Sequence, residues 1–203
     1  HALCAWILRT EAKRLGLPPE LWIHDEEDAQ AVISELGGIG MKPKEAMFAL
    51  HRDMSQVPIG QASLRNYLTG AFTDRPWAAR YIAALTERGA VDFAGLVYLA
   101  RAALSEPDCA ARWAARFDHV QIDEVQDTHL SEYDVIRHLA AKSQSLCLVG
   151  DLDQTIYGWR GSRPRELLEH VAADFGPVTE LQMVDNFRST KALLTAANAV
   201  AAA

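Results

Sequence analysis

The chain is 203 residues long, with 20 Lys and Arg against 27 Asp and Glu, a formal net charge of −7 at pH 7 and 49% hydrophobic residues. Such a chain can bury one or two ordinary cores, and no apolar run in it approaches the roughly 20 residues that span a bilayer. The acidic balance also excludes a protein that coats nucleic acid by charge alone. Its three cysteines, Cys4, Cys109 and Cys147, are odd in number, widely spaced and set among apolar residues. They read as reduced core thiols in a cytoplasmic protein, and they lack the paired spacing of a zinc site.

Helices dominate the first part, separated by clear stops. Leu3, Ile7 and Leu8 open one that ends at Leu15-Gly16-Leu17-Pro18-Pro19. Asp25 caps another running to Leu36, closed by Gly37-Gly38. Pro43 and Pro76 stand where first-turn prolines belong and open helices to about Met54 and Arg88. Asp92 caps a helix through Leu104. Trp6, Trp22, Trp77 and Trp113 are expected in this helical core, and the histidines at 24, 51, 119, 129, 138 and 170 show no partner pattern. The stretch Gly37-Gly38-Ile39-Gly40-Met41-Lys42 is glycine-rich but has no Ser or Thr after Lys42 and no strand before it. It reads as a helix end and loop; no G-x-x-x-x-G-K-[ST] phosphate loop occurs anywhere in the sequence.

From about residue 119 strand and helix alternate. Strands are expected near 119–123, 145–149 and 178–183, with helices near 131–142 and 164–175 and a closing one from about 190. That order defines an α/β fold with a parallel sheet and helices on its faces, preceded by a mainly helical unit over 1–118. With few strands in hand, at least one sheet edge is expected to be unprotected.

The chemistry sits after the first two strands. Val120 and Ile122 suit a buried strand, and ligands of open α/β sheets gather at the carboxyl ends of strands, where Asp123 and Glu124 fall. Mg²⁺ takes one or two carboxylates together with phosphate oxygens and water, which suits Asp123. Glu124 can orient or deprotonate a water that attacks a terminal phosphate. The second run, Leu146-Cys147-Leu148-Val149, leads into Gly150-Asp151-Leu152-Asp153-Gln154 and an aromatic loop with Tyr157, Trp159 and Arg160 between Gly158 and Gly161. An indole between glycines is poorly placed for a core and well placed to stack on a base, which is worth about 1–3 kcal/mol per base in any sequence context. Arg160 either reaches a phosphate or braces the loop.

Residues 119–128, containing Ile-Asp-Glu-Val-Gln-Asp-Thr, resemble the Walker B segment of the UvrD/Rep family of superfamily 1 DNA helicases, with Val125 where the family usually has an aromatic. Residues 150–161, GDLDQTIYGWRG, resemble its third motif, and Asn186-Phe187-Arg188-Ser189-Thr190 its fourth, with Phe187 for Tyr. Upstream, Asp92-Phe93-Ala94-Gly95-Leu96-Val97 is similar to the helix start found before Walker B, and His1-Ala2-Leu3-Cys4 to the end of the Thr-Phe-His-Ser motif.

The resemblance implies a partial RecA-like motor domain over 119–203 and an all-helical inserted subdomain within 1–118, whose first helix belongs to the motor. It implies ATP and Mg²⁺ as cofactors, with Asp123 on the metal, Glu124 on the water, Gln154 sensing the terminal phosphate and Arg188 acting as an arginine finger. It further implies single-stranded and duplex DNA as partners, with Trp159, Tyr157, Arg160 and His1 on the DNA and movement in the 3′→5′ direction. Gln126 and Asp127 are expected to tie Walker B to neighbouring loops. Without a phosphate loop or a second motor domain, the chain reads as an internal piece that needs the rest of its own protein and does not hydrolyse ATP alone. A helicase subunit of a helicase–nuclease complex and a non-hydrolysing single-strand-binding module are the alternatives.

Overall fold

The computed structural model describes residues 1–18, 20–60, 62–155 and 162–201. Helix α1 (Ala2–Leu15) ends at Gly16, whose left-handed backbone (φ 66°) lets its N–H return to the Ala12 carbonyl. Helix α2 (Glu26–Leu36) starts where the Asp25 carboxylate accepts the Glu27 and Asp28 amides at 2.8 and 2.9 Å. Helices α3 (Pro43–Gln56), α4 (Ser63–Thr69) and α5 (Ala78–Glu87) follow, with Pro43 in the first turn of α3. The helix expected from Pro76 begins two residues later, at Ala78. Helix α6 (Phe93–Leu104) is capped by Asp92, which accepts the Gly95 amide at 2.7 Å, and α7 (Pro107–Ala114) completes the helical part.

Strands β1 (Trp22–His24) and β2 (Ala90–Asp92) were not expected from the sequence. They pair in parallel, Ile23 opposite Val91, and tie the end of α1 to the start of α6. A second parallel pair, β3 (His119–Ile122) and β4 (Ser145–Leu148), carries helices α8 (Leu130–Ala140) and α9 (Pro164–Phe175). The chain closes with α10 (Lys191–Ala201). The architecture is therefore α/β, with ten helices and two small parallel two-stranded sheets among the described residues.

Alternation along β3 and β4 turns Val120, Ile122, Leu146 and Leu148 inward and leaves His119, Gln121, Ser145 and Cys147 exposed. Both strands are thus half-buried, not fully buried as expected, because helices cover only one face. Cys147 consequently departs from the core reading of the cysteines, while Cys4 and Cys109 are buried. The expected strand at 178–183 does not form: residues 177–186 have no regular structure, 177–188 are exposed, and among the described residues no strand pairs with them.

One large core joins α1 to α7 with the inner face of α8, including Ile7, Leu8, Leu50, Tyr81, Leu96, Trp113, Val135 and Leu139. A smaller one gathers Val125, Tyr133, Leu167 and Val171 beneath β3 and β4. Trp77 and Trp113 are in the core as expected, but Trp6 and Trp22 are not: Trp22 is 67% exposed at the start of β1, and Trp6 packs edge-on against Trp113 from outside. No helix among the described residues is long and apolar enough to cross a membrane.

Candidate functional site

Parallel registry aligns the ends of β3 and β4, with Ile122 opposite Leu148. Two further backbone bonds, Val149 N–H to the Ile122 carbonyl at 2.8 Å and Val125 N–H to the Val149 carbonyl at 3.0 Å, carry the pairing past the strands. Asp123 and Glu124 therefore emerge beside Gly150 and Asp151, at the edge where an open α/β sheet binds ligands. Both carboxylates are exposed.

The backbone here is strained in a specific place. Glu124 adopts φ 51°, ψ 44°, and it is the only non-glycine residue with positive φ among the described residues. A side-chain-bearing residue in this left-handed region costs about 1–2 kcal/mol, and such costs concentrate at functional turns. The turn is held by the Glu124 amide donating to Asp123 Oδ1 at 3.0 Å and by the short 3₁₀ turn Val125–Asp127 that follows.

Gln126 lies at the centre, 2% exposed. Its Nε2 donates to Glu124 Oε2 at 2.6 Å, and its Oε1 accepts the Asp151 amide at 3.1 Å. Its backbone carbonyl accepts the Ser162 hydroxyl. Gly150 allows this closeness, since a Cβ there would stand 2.4 Å from Gln126 Oε1 and 2.8 Å from Val125 Cγ1. Gln154 is exposed in the second 3₁₀ turn (Leu152–Gln154), where its amide donates to Asp151 Oδ2 at 2.7 Å while Asp151 Oδ1 accepts the Asp153 amide. A continuous chain of hydrogen bonds therefore runs from Glu124 through Gln126 and Asp151 to Gln154.

The remaining site residues are disposed differently. Arg188 sits in an exposed turn organised by Asn186, whose Oδ1 accepts the Arg188 and Ser189 amides at 3.1 and 3.2 Å. Among the described residues no hydrogen bond or ion pair joins Arg188 to Asp123, Glu124 or Gln154. His1 leans on Phe93 with ring centroids 4.7 Å apart, its Nε2 4.0 Å from Glu132. Tyr157, Trp159 and Arg160 lie outside the described residues.

Gln126 thus ties the segment to its neighbours as the sequence suggested, whereas one oxygen of Asp127 is buried without a hydrogen-bond partner. The roles of Gly150 and Ser162 were not foreseen, because neither is visible without the contact. The histidine reading also needs correction. His51 Nε2 lies 3.1 Å from Asp92 Oδ2, which also accepts the Tyr81 hydroxyl at 2.7 Å. His129 caps α8, its Nδ1 accepting the Ser131 amide while its own amide donates to Glu132. Burial holds the His129 imidazole below its ordinary pKa, opposed by Glu132 and reinforced by Arg101 and Arg163, which suits an acceptor nitrogen.

No group of three or more His, Cys, Asp or Glu able to hold a metal occurs among the described residues. Asp151 uses both oxygens on Asp153 and Gln154, whereas the exposed Asp123 and Glu124 each engage one oxygen in a hydrogen bond among the described residues, so Asp123 at the strand end can serve as an oxygen donor. One carboxylate of this kind fits a hard cation that keeps most of its water and takes phosphate oxygens, and it does not fit zinc or a protein-caged metal.

An open parallel strand pair with acids at its carboxyl ends belongs to the α/β proteins that bind ligands at that edge. Residues 1–174 match the family model described as UvrD/REP helicase N-terminal domain, and the chain belongs to that family. It is similar to the ATP-dependent DNA helicase PcrA of Staphylococcus aureus, at 30% identity over 98% of this chain and 28% of that protein. The PcrA of Staphylococcus epidermidis is 28% identical over the same shares. The chain spans 28% of the length of these curated relatives.

Proposed function

We propose that this chain is part of the first motor domain of an ATP-dependent DNA helicase, which couples ATP hydrolysis to movement on single-stranded DNA and to unwinding of duplex. Residues 119–203 form the partial RecA-like portion, and 1–118 hold the inserted helical subdomain together with α1 of the motor. Family resemblance assigns the 3′→5′ direction, and the free cysteines fit a cytoplasmic setting.

The observation that carries this reading is the placement of Asp123 and Glu124 at the end of β3, linked through Gln126 and Asp151 to Gln154. Asp123 would hold Mg²⁺, which would supply charge neutralisation on the phosphate oxygens. Glu124 orients the attacking water and takes its proton. Gln154 meets the terminal phosphate through its amide, and Arg188 acts on the same group as an arginine finger. By family resemblance Trp159 and Tyr157 stack on bases of the DNA, and Arg160 and His1 are further DNA contacts. The sequence holds no G-x-x-x-x-G-K-[ST] phosphate loop, so these 203 residues by themselves do not turn over ATP.

The test is Glu124→Gln in the full-length protein. It keeps size and polarity but removes the base, so ATP binding, read with a fluorescent nucleotide, stays close to wild type while kcat falls by about 10²–10⁴. Turnover at the wild-type rate would remove Glu124 from its assigned role.

A further inference from the structure

The catalytic reading above uses Glu124 and Gln154 but leaves open what keeps Glu124 aimed and how the 151–162 turn acts on it. We infer that Gln126 is the positioning residue of this site, holding the Glu124 carboxylate and joining it to both ends of the turn that carries Gln154 and the aromatic loop. This inference rests on the proposed function and deepens it by giving Gln126 a role in that site.

The contacts supporting it come from three directions. The side-chain amide gives its hydrogen to Glu124 Oε2 at 2.6 Å, a charge-assisted bond to an otherwise exposed carboxylate. The same amide's oxygen accepts the Asp151 N–H at 3.1 Å, at the entrance of the turn. The backbone carbonyl accepts Ser162 Oγ at the exit. Gln126 itself is buried, which restricts its rotamers and fixes the direction of both contacts. The absent Cβ at Gly150 leaves the room that the Gln126 oxygen occupies.

An amide is the side chain this arrangement requires, because one end must donate to a carboxylate while the other accepts a backbone N–H. Glutamate keeps the acceptor and places a second carboxylate against Glu124. Methionine keeps the length and removes both bonds. Asp151 and Ser162, on either side of residues 152–161, thus share this residue with Glu124.

The experiment measures ATP hydrolysis by the full-length protein carrying Gln126→Glu, and separately Gln126→Met, with and without oligo(dT). Melting temperature serves as the folding control. Loss of an orienting partner behind a reacting group costs on the order of 10- to 100-fold in activity. We expect kcat to fall by that factor in both variants, with KM for ATP staying within about twofold. In single-turnover assays Glu124→Gln/Gln126→Glu should be no slower than Glu124→Gln alone, because an aligning residue has nothing left to align. Unchanged kcat in both variants, or losses that multiply in the double variant, would overturn the assignment. Wild-type turnover by Glu124→Gln would instead overturn the function on which it rests.

Discussion

Asp92 is 1% exposed and carries more hydrogen bonds than any sequence signal announces. Its Oδ1 caps α6 at the Gly95 amide, and its Oδ2 takes His51 and the Tyr81 hydroxyl. Burial by itself would raise its pKa, but the bonds from His51, Gly95 and Tyr81 outweigh burial and hold the carboxyl below its ordinary value. A carboxyl depressed in the folded state stabilises it above the unfolded pKa of about 3.9, and that stability is lost as pH falls through the folded value. Asp92→Asn preserves the cap and removes the charge. Denaturant titrations between pH 3 and 6 should show wild-type stability falling more steeply with acid than that of the variant. Parallel curves would assign the network no electrostatic role.

Among the elements, α6 is the one on which the others converge, and Arg101 near its end makes the joint. Its guanidinium reaches the Met54 and Val57 carbonyls at the end of α3, at 3.4 and 3.3 Å, and Asp134 of α8 at 2.8 Å. Burial would raise the Asp134 pKa, but Arg101 and Arg137 together hold it below the usual range, so the pair is ionised where it matters. Arg101→Met keeps the apolar stem and strands Asp134 with Arg137 alone. Breaking such a pair costs about 3 kcal/mol, which lowers Tm by roughly 6–12 °C in a chain of this size. Calorimetry giving a shift below about 2 °C would mean that the helices meet without this joint.

Legibility from sequence followed the range of the signal at this scale. Asp25, Pro43 and Asp92 announced α2, α3 and α6 because caps act within three residues of themselves. The alternation in β3 and β4 and the acids beyond them were equally local. By contrast β1 and β2 are three residues each, and their pairing depends on chain far removed in sequence. His51 looked inert since its partner lies 41 residues away. The stretch from Val178 to Met183 has a strand-like sequence, but β-structure needs a neighbour and none lies beside it. In the site, Asp123, Glu124 and Gln154 were readable as residue types, while the Gln126 bridge and the space at Gly150 exist only after folding brings residues 126 and 150 together.

At the scale of the whole molecule, burial is graded steeply along the chain, and stability should follow it. Every residue of α6 from Gly95 to Leu104 is buried, and α1, α3, α4, α7 and α8 pack around it in one core. The smaller core under β3 and β4 rests on α8, which contributes Val135 and Leu139 to the large core and Tyr133 to the small one. Beyond Gly176 the character changes: Leu181, Met183 and Phe187 are exposed, and residues 191–200 of α10 have no buried side chain. An 11-residue helix without packing is marginal in water, since nucleation is costly and propensity supplies little. Native-state hydrogen exchange on the 203-residue chain should therefore order itself in three tiers. Amides of α6 and the facing turns of α1 should open only with global unfolding, those of β3, β4 and α9 through a smaller cooperative unit, and those of 177–201 at nearly unprotected rates. Protection in α10 equal to that of α6 would show that the C-terminal segment finds a partner in solution, for instance by association of two chains through its exposed apolar residues, and a concentration series would then expose it.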